Sequence, residues 1–196
     1  MRCVLVPDGA NPDGERNVWF VNDGGESAVI DPAGSVGDLL GYCDGRQLTA
    51  ILWTNLLPES VGAAVALADQ TGAVTYLDAD DLGIWKMADP ERRPQRSVPE
   101  GLVVDVGGIT LKAIHTPGVT PGGICWYAPS LSAVFTGETL GLHGPGGAER
   151  PASERSALLA SIRTGLFTLP SETLVHPGRG EDTRIGTQRW DPRFWS

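Results

Sequence analysis

The stretch ILWTNLLPESVGAA, residues 51–64, carries the pattern that decides the fold. The apolar run Ile51-Leu52-Trp53 ends at Thr54, and Val61-Gly62-Ala63-Ala64 opens a helix-like segment. A buried strand therefore turns into a helix through one short loop, the unit from which layered α/β domains are built. The loop offers one carboxylate (Glu59), one amide (Asn55), one hydroxyl (Ser60) and a leucine pair. Loops at strand ends are where chemistry is usually carried.

Working outward, short β-rich runs are expected over residues 3–6, 17–22, 27–30, 49–53, 73–77, 102–106, 110–115, 123–127, 132–135 and 173–175. Asn22-Asp23-Gly24-Gly25 and Gly107-Gly108 are turn chemistry and mark hairpins. Helices are expected over 36–42, 60–71, 78–88 and 153–166, with Ser60 and Ser153 as N-caps and Gly72 just past an end. Residues 141–151 are rich in Gly and Pro and read as an irregular, mobile loop. Many strands with few helices point to sheets packed face to face with helices outside. No repeat or linker divides the 196 residues, so one domain over 1–196 is expected.

Composition narrows the partners. A formal charge of −9 without a basic cluster argues against nucleic acid and against an anionic membrane surface, leaving small molecules. The three cysteines, Cys3, Cys43 and Cys125, are far apart and lack a C-x-x-C spacing, so neither a disulfide framework nor a thiolate metal site is suggested. A reducing, cytoplasmic setting fits. The N-terminal stretch lacks the apolar region of a signal peptide, and no run approaches a membrane span.

Four loops after strand candidates hold most of the polar residues: 54–60; His115-Thr116-Pro117-Gly118-Val119-Thr120-Pro121-Gly122; Phe135-Thr136-Gly137-Glu138-Thr139-Leu140; and His176-Pro177-Gly178-Arg179-Gly180. Their order, with Val29-Ile30-Asp31-Pro32-Ala33-Gly34 upstream, resembles the metallo-β-lactamase superfamily, most closely its hydroxyacylglutathione hydrolase (glyoxalase II) branch. The resemblance implies an αββα sandwich of two mixed sheets, with the four loops on one edge. In that family T-H-x-H-x-D-H, the first histidine of H-T-P-G-H-T-P-G, the aspartate of F-T-G-D-T-L and the histidine of P-G-H-G bind one or two metals. Here Asn55, Leu57, Glu59 and Ser60 stand at the first set, Val119 replaces the second histidine of the next motif, and Glu138 and Arg179 stand at the last two positions. His115 alone is retained.

A hydrolytic zinc site needs three or four N, O or S donors at about 2.0–2.3 Å and an open position for water. Leucine offers no lone pair and a guanidinium cannot ligate, so the resemblance implies a degenerate metal site with no metal or other cofactor. Arg179 is expected to face Glu59 and Glu138, supplying the positive charge that two neighbouring carboxylates require. The expected catalytic set is His115, Glu138, Glu59 and Arg179, with Asn55, Ser60, Trp53 and His143 as substrate-binding candidates. Three functions remain open. One is a metal-independent acid/base enzyme of lyase, isomerase, cyclase or esterase type acting on a small anionic molecule. The second is a non-catalytic binding or scaffold protein, a pseudoenzyme. The third is a divergent mononuclear metallohydrolase of esters or thioesters using His115, Glu138 and Glu59. Each residue also has a plain structural reading: His115 as a loop hydrogen-bonder, Glu59 and Glu138 as ion-pair partners of Arg179, Asn55 as a turn cap, His176 as a strand end, and the tryptophans as core.

Overall fold

The computed structural model describes residues 1–8, 11–146 and 151–194, without the side chains of residues 8, 11–13, 152 and 153. The chain opens with strands β1 (Arg2–Asp8), β2 (Asn11–Asp23) and β3 (Glu26–Ile30), joined antiparallel. It then alternates helix and strand: α1 (Val36–Gly41), β4 (Gln47–Leu52), α2 (Pro58–Thr71), β5 (Val74–Leu77), α3 (Leu82–Ala88) and the short β6 (Arg96–Ser97). Strands β3 to β6 pair in parallel, so α1, α2 and α3 are crossovers on one face of a six-stranded sheet ordered β1-β2-β3-β4-β5-β6.

The second half repeats the logic with mostly antiparallel pairing. Strands β7 (Val103–Val106), β8 (Ile109–His115), β9 (Ile124–Ala128) and β10 (Ala133–Gly137) form a meander. A two-stranded ribbon, β11 (Leu140–Gly141) and β12 (Gly144–Pro145), follows, then helix α4 (Ala152–Thr164). Strand β13 (Leu174–Pro177) returns parallel to β10, β14 (Thr183–Arg184) borders it, and α5 (Ile185–Arg189) follows. The second six-stranded sheet is ordered β14-β13-β10-β9-β8-β7.

Period-two alternation sorts these strands into layers. Trp19, Val21, Ala28, Ile30, Ala50 and Leu52 face Val106, Leu111, Trp126 and Phe135 of the second sheet and form the central core. The alternate residues Val18, Phe20, Val29, Ile51 and Trp53 pack instead on Val61, Ala64 and Leu67 of α2 and Trp85 of α3. On the far side, Cys125, Val134 and Val175 meet Leu158, Leu159 and Ile162 of α4. The result is the expected αββα sandwich, with both faces of its central strands buried. Among the described residues no helix is long and apolar enough to cross a membrane.

Local details depart from expectation in ways that have causes. Helix α2 starts at Pro58 with Leu57 at the cap, because proline at the first helical position costs no hydrogen bond. Ser60 therefore sits inside the helix, where its hydroxyl donates to Leu57 O (2.8 Å) and accepts from Trp53 Nε1 (3.0 Å). The far end of α2 is as expected: Gly72 takes φ 73° and its N–H bonds Ala68 O. The 78–88 helix is broken, with Asp78 capping a single turn at Ala79–Asp81 before α3 begins. Helix α4 begins at Ala152, with Pro151 rather than Ser153 flanking it. The Gly/Pro-rich segment contains the β11–β12 ribbon, and residues 147–150 lie outside the described residues.

The two hairpins touch each other. Gly107 has φ 61°, and a Cβ there would overlap the Asp23 carbonyl in the turn between β2 and β3. Gly107→Ala is therefore expected to lower unfolding stability by more than about 1 kcal/mol. Urea denaturation measures it, and an unchanged midpoint would mean that the two turns do not touch in solution.

Candidate functional site

The polar edge of the sandwich is organised by the residues that follow β4. Thr54 receives both oxygens of Asp31, just beyond β3: its N–H donates to Oδ1 at 2.7 Å and its hydroxyl to Oδ2 at 2.6 Å. Asp31 adopts φ 54°, a left-handed conformation that this pair of bonds compensates. Thr54 O accepts from Ile124 N of the second sheet (2.7 Å), and Trp53 O accepts from Trp126 Nε1 (2.8 Å). Asn55 Oδ1 then accepts the Glu138 N–H at 3.1 Å. Strand β10 ends in Gly137 at φ 52° because a Cβ there would strike the Thr54 hydroxyl.

Glu138, so placed, meets two cations. Arg179, from the loop after β13, brings Nε to 2.8 Å of Glu138 Oε1. Arg16, from the middle of β2, brings Nη2 to 3.4 Å of the same oxygen, and its Nη1 lies 4.0 Å from Glu59. The two arginines differ in setting: the Arg16 side chain is 9% exposed and that of Arg179 37%. Glu138 Oε1 takes both guanidinium contacts, and Oε2 has no hydrogen bond among the described residues. Glu138 and Arg179 line a cleft of about 500 Å³ whose other walls include Leu142, His143, Pro177 and Glu181. The Arg179 loop is pinned from behind, since Asn17 Nδ2 donates to Pro177 O and Gly180 O, and Trp19 Nε1 to Pro177 O.

The candidate residues thus divide into groups. Glu138, Arg179 and His143 border one cleft, with Asn55 holding the Glu138 backbone from behind. Glu59 and Ser60 border a neighbouring depression beside Arg16. Trp53 and Ser60 bond each other, and Trp53 is buried against Trp85. His115 stands elsewhere: it lies at the end of β8 with its N–H bonded to Glu100 (2.6 Å), and its neighbours in the donor sense are Asp78 and Asp80. His176 is buried between Trp19 and Phe135 with Nδ1 3.0 Å from Asp182. Arg16 and Asp31 were not singled out as site residues from the sequence. Arg16 sits mid-strand, and the next residue, Asn17, donates its N–H to Gly178 O of the Arg179 loop (2.9 Å), so Arg16 lies beside Glu138.

Burial pushes the Asp31 carboxyl up to about 6; the Thr54 hydrogen bonds and Arg16 oppose this, and Glu138 adds to it. In the folded chain the proton is thus retained to a higher pH than in the unfolded chain, whose value is near 3.8. The stabilising contribution is present below pH 4 and lost as pH rises through 6.

With this edge described, the class is defined: an αββα sandwich of two mixed sheets carrying its polar groups on the loop edge. A profile of the metallo-β-lactamase superfamily matches residues 11–179, and the chain belongs to that superfamily. It is similar to the hydroxyacylglutathione hydrolase GloC of Haemophilus influenzae, 26% identical over 96% of this chain and 95% of the relative. It is also similar to the probable metallo-hydrolase YqgX of Bacillus subtilis, 25% identical over 89% and 90%. Among solved structures, TTHA1623 in a di-iron-bound form superposes with a TM-score of 0.81 at 28% identity, covering 97% of this chain and 98% of that one. The B3 metallo-β-lactamase BLEG-1 gives 0.83 at 22% identity with full coverage of both chains, a likeness of fold.

Two predictions follow from the electrostatics. Arg16→Met, which strips a buried cation from two carboxylates, is expected to lower stability by about 3 kcal/mol, whereas Arg179→Met at the exposed position costs less than about 1 kcal/mol. Equal shifts in thermal midpoint would contradict the assigned burial. Asp31→Asn keeps both acceptor and donor for Thr54 and removes the titration, so the variant should gain on wild type by up to about 3 kcal/mol between pH 4 and pH 7. Parallel stability profiles for the two proteins over that range would refute the raised value.

Proposed function

We propose that this chain is an enzyme of the superfamily that works by acid/base catalysis in the Glu138 cleft, with guanidinium groups in place of the family's metal pair. The observation that carries the reading is the double grip on one oxygen of Glu138, which leaves the other without a hydrogen bond among the described residues on the wall of a cleft of about 500 Å³. The residues at the family's ligand positions do not fit two metal ions. Leu57 has no donor atom, Arg179 is a permanent cation 2.8 Å from the carboxylate a metal would need, and Asn55 Oδ1 is taken by a backbone N–H.

In this reading Glu138 Oε2 accepts a proton from a water as its oxygen attacks the acyl carbon of a small ester or thioester. The acyl–O or acyl–S bond then breaks and the leaving group takes up the proton. Arg179 lies beside the carboxylate, where its charge opposes the negative charge that builds on the acyl oxygen. The substrate class is argued from the hydrolases among the relatives and from the size of the cleft, which holds a small molecule rather than a polymer. The competing function, a binding protein without turnover, uses the same cleft and differs only in lacking conversion.

The test is turnover of p-nitrophenyl acetate and of an S-acyl glutathione by metal-stripped protein in the presence of chelator. Conversion that persists with chelator and falls more than about 100-fold in Glu138→Gln is the expected result. Conversion that appears only on adding zinc and vanishes in His115→Ala would replace this reading by a mononuclear metallohydrolase. Binding of either probe without conversion by wild type would leave a binding protein.

A further inference from the structure

We propose that Asp78, Asp80 and His115 bind one divalent transition ion, of which zinc is the test case, at a position separate from the Glu138 cleft. Each of the three offers one ligand atom, and these atoms all lie within 4.8 Å of one another. Two donors bound to a common ion at about 2.0–2.2 Å lie roughly 3.0–4.2 Å apart, so small side-chain rotations close the set. None of the three lines the Glu138 cleft.

The second observation is on His115 itself. Its Nε2 is shut off from solvent and has no hydrogen-bond partner among the described residues, and one ring nitrogen lies within 4.8 Å of a carboxylate oxygen of each aspartate. A buried imidazole nitrogen left without a partner costs free energy, and an ion removes that cost while offsetting the repulsion between the two aspartates. The donors are also held opposite one another by bonds that do not involve them. Asp81 accepts from Thr120 Oγ1 (2.7 Å) and from Gly122 N (2.8 Å), locking the 78–81 turn to the loop that follows His115. Glu100 holds the His115 N–H from the other side. Gly122 lies so close to this turn that a Cβ there would fall 2.9 Å from Asp78 Cβ.

The donor set selects the kind of ion. Two carboxylates with one imidazole suit zinc, manganese or iron(II) better than magnesium, whose sites are built from oxygens. Asp80 is exposed, so water completes the coordination shell. Asp78 and Asp80 follow the end of β5 in the first sheet, and His115 ends β8 in the second, so a bound ion ties the two sheets together at the polar edge.

Zinc titration by calorimetry on the metal-stripped full chain tests this, with cobalt(II) absorption as a second readout. One ion per chain is expected, with at least 10-fold weaker binding in Asp80→Asn and in His115→Gln and an unchanged affinity in Glu138→Gln. Asp80 is exposed, so its variant keeps the fold, and far-UV circular dichroism of each variant checks that. No zinc binding by wild type, binding that survives both Asp80→Asn and His115→Gln, or binding lost in Glu138→Gln would each overturn the proposal. The reading of the Glu138 cleft stands or falls on esterase turnover, so the two failures are distinguishable.

Discussion

The carboxylate of Asp31 closed on Thr54 is the constraint from which the polar edge is built. A buried backbone N–H and hydroxyl leaving the end of a central strand must find partners, and here both find the same side chain. Once Thr54 is fixed, its carbonyl can bond β9, the Trp53 carbonyl can receive Trp126, and Asn55 can hold the backbone of Glu138. Three consecutive residues thereby stitch two sheets at the point where their strands end. The cost is visible in Asp31, whose backbone is left-handed and whose proton is held to about pH 6. Loop positions of this kind are where a fold with packed faces can carry polar groups without breaking its core.

The layered architecture was legible because it rests on local pattern. The strand–loop–helix at 51–64 became β4, its loop and α2, and glycine pairs marked both hairpins. What escaped was set by contacts between distant segments. Strands β6 and β14 have two residues each and exist through their neighbours. Ser60 has the chemistry of an N-cap, but Pro58 set the helix start two residues earlier and the indole of Trp53 claimed the hydroxyl.

The site was legible to the same extent. Glu138 and Arg179 stand in motifs, and the structure pairs them at 2.8 Å. Arg16 stands in no motif: its neighbour Asn17 bonds Gly178 O of the Arg179 loop, and no spacing in the sequence encodes that meeting. His115 was grouped with the glutamates by the order of the loops. The structure gives it Asp78 and Asp80, residues of a turn that read as the start of a helix.

An arginine pair and a metal pair differ in what they do to water. A divalent ion holds a water by its oxygen and withdraws charge from it, so that the bound water loses a proton near neutrality. A guanidinium donates hydrogen bonds and cannot bind the oxygen as a Lewis acid does; its field steadies an anion already formed. In the proposed acid/base reading, proton transfer must therefore come from a separate group, and Glu138, whose Oε1 takes both guanidinium contacts, is the group placed to supply it. Because a guanidinium does not polarise a leaving group as a Lewis acid does, substrates whose leaving groups depart without such help are the ones the proposed reading favours.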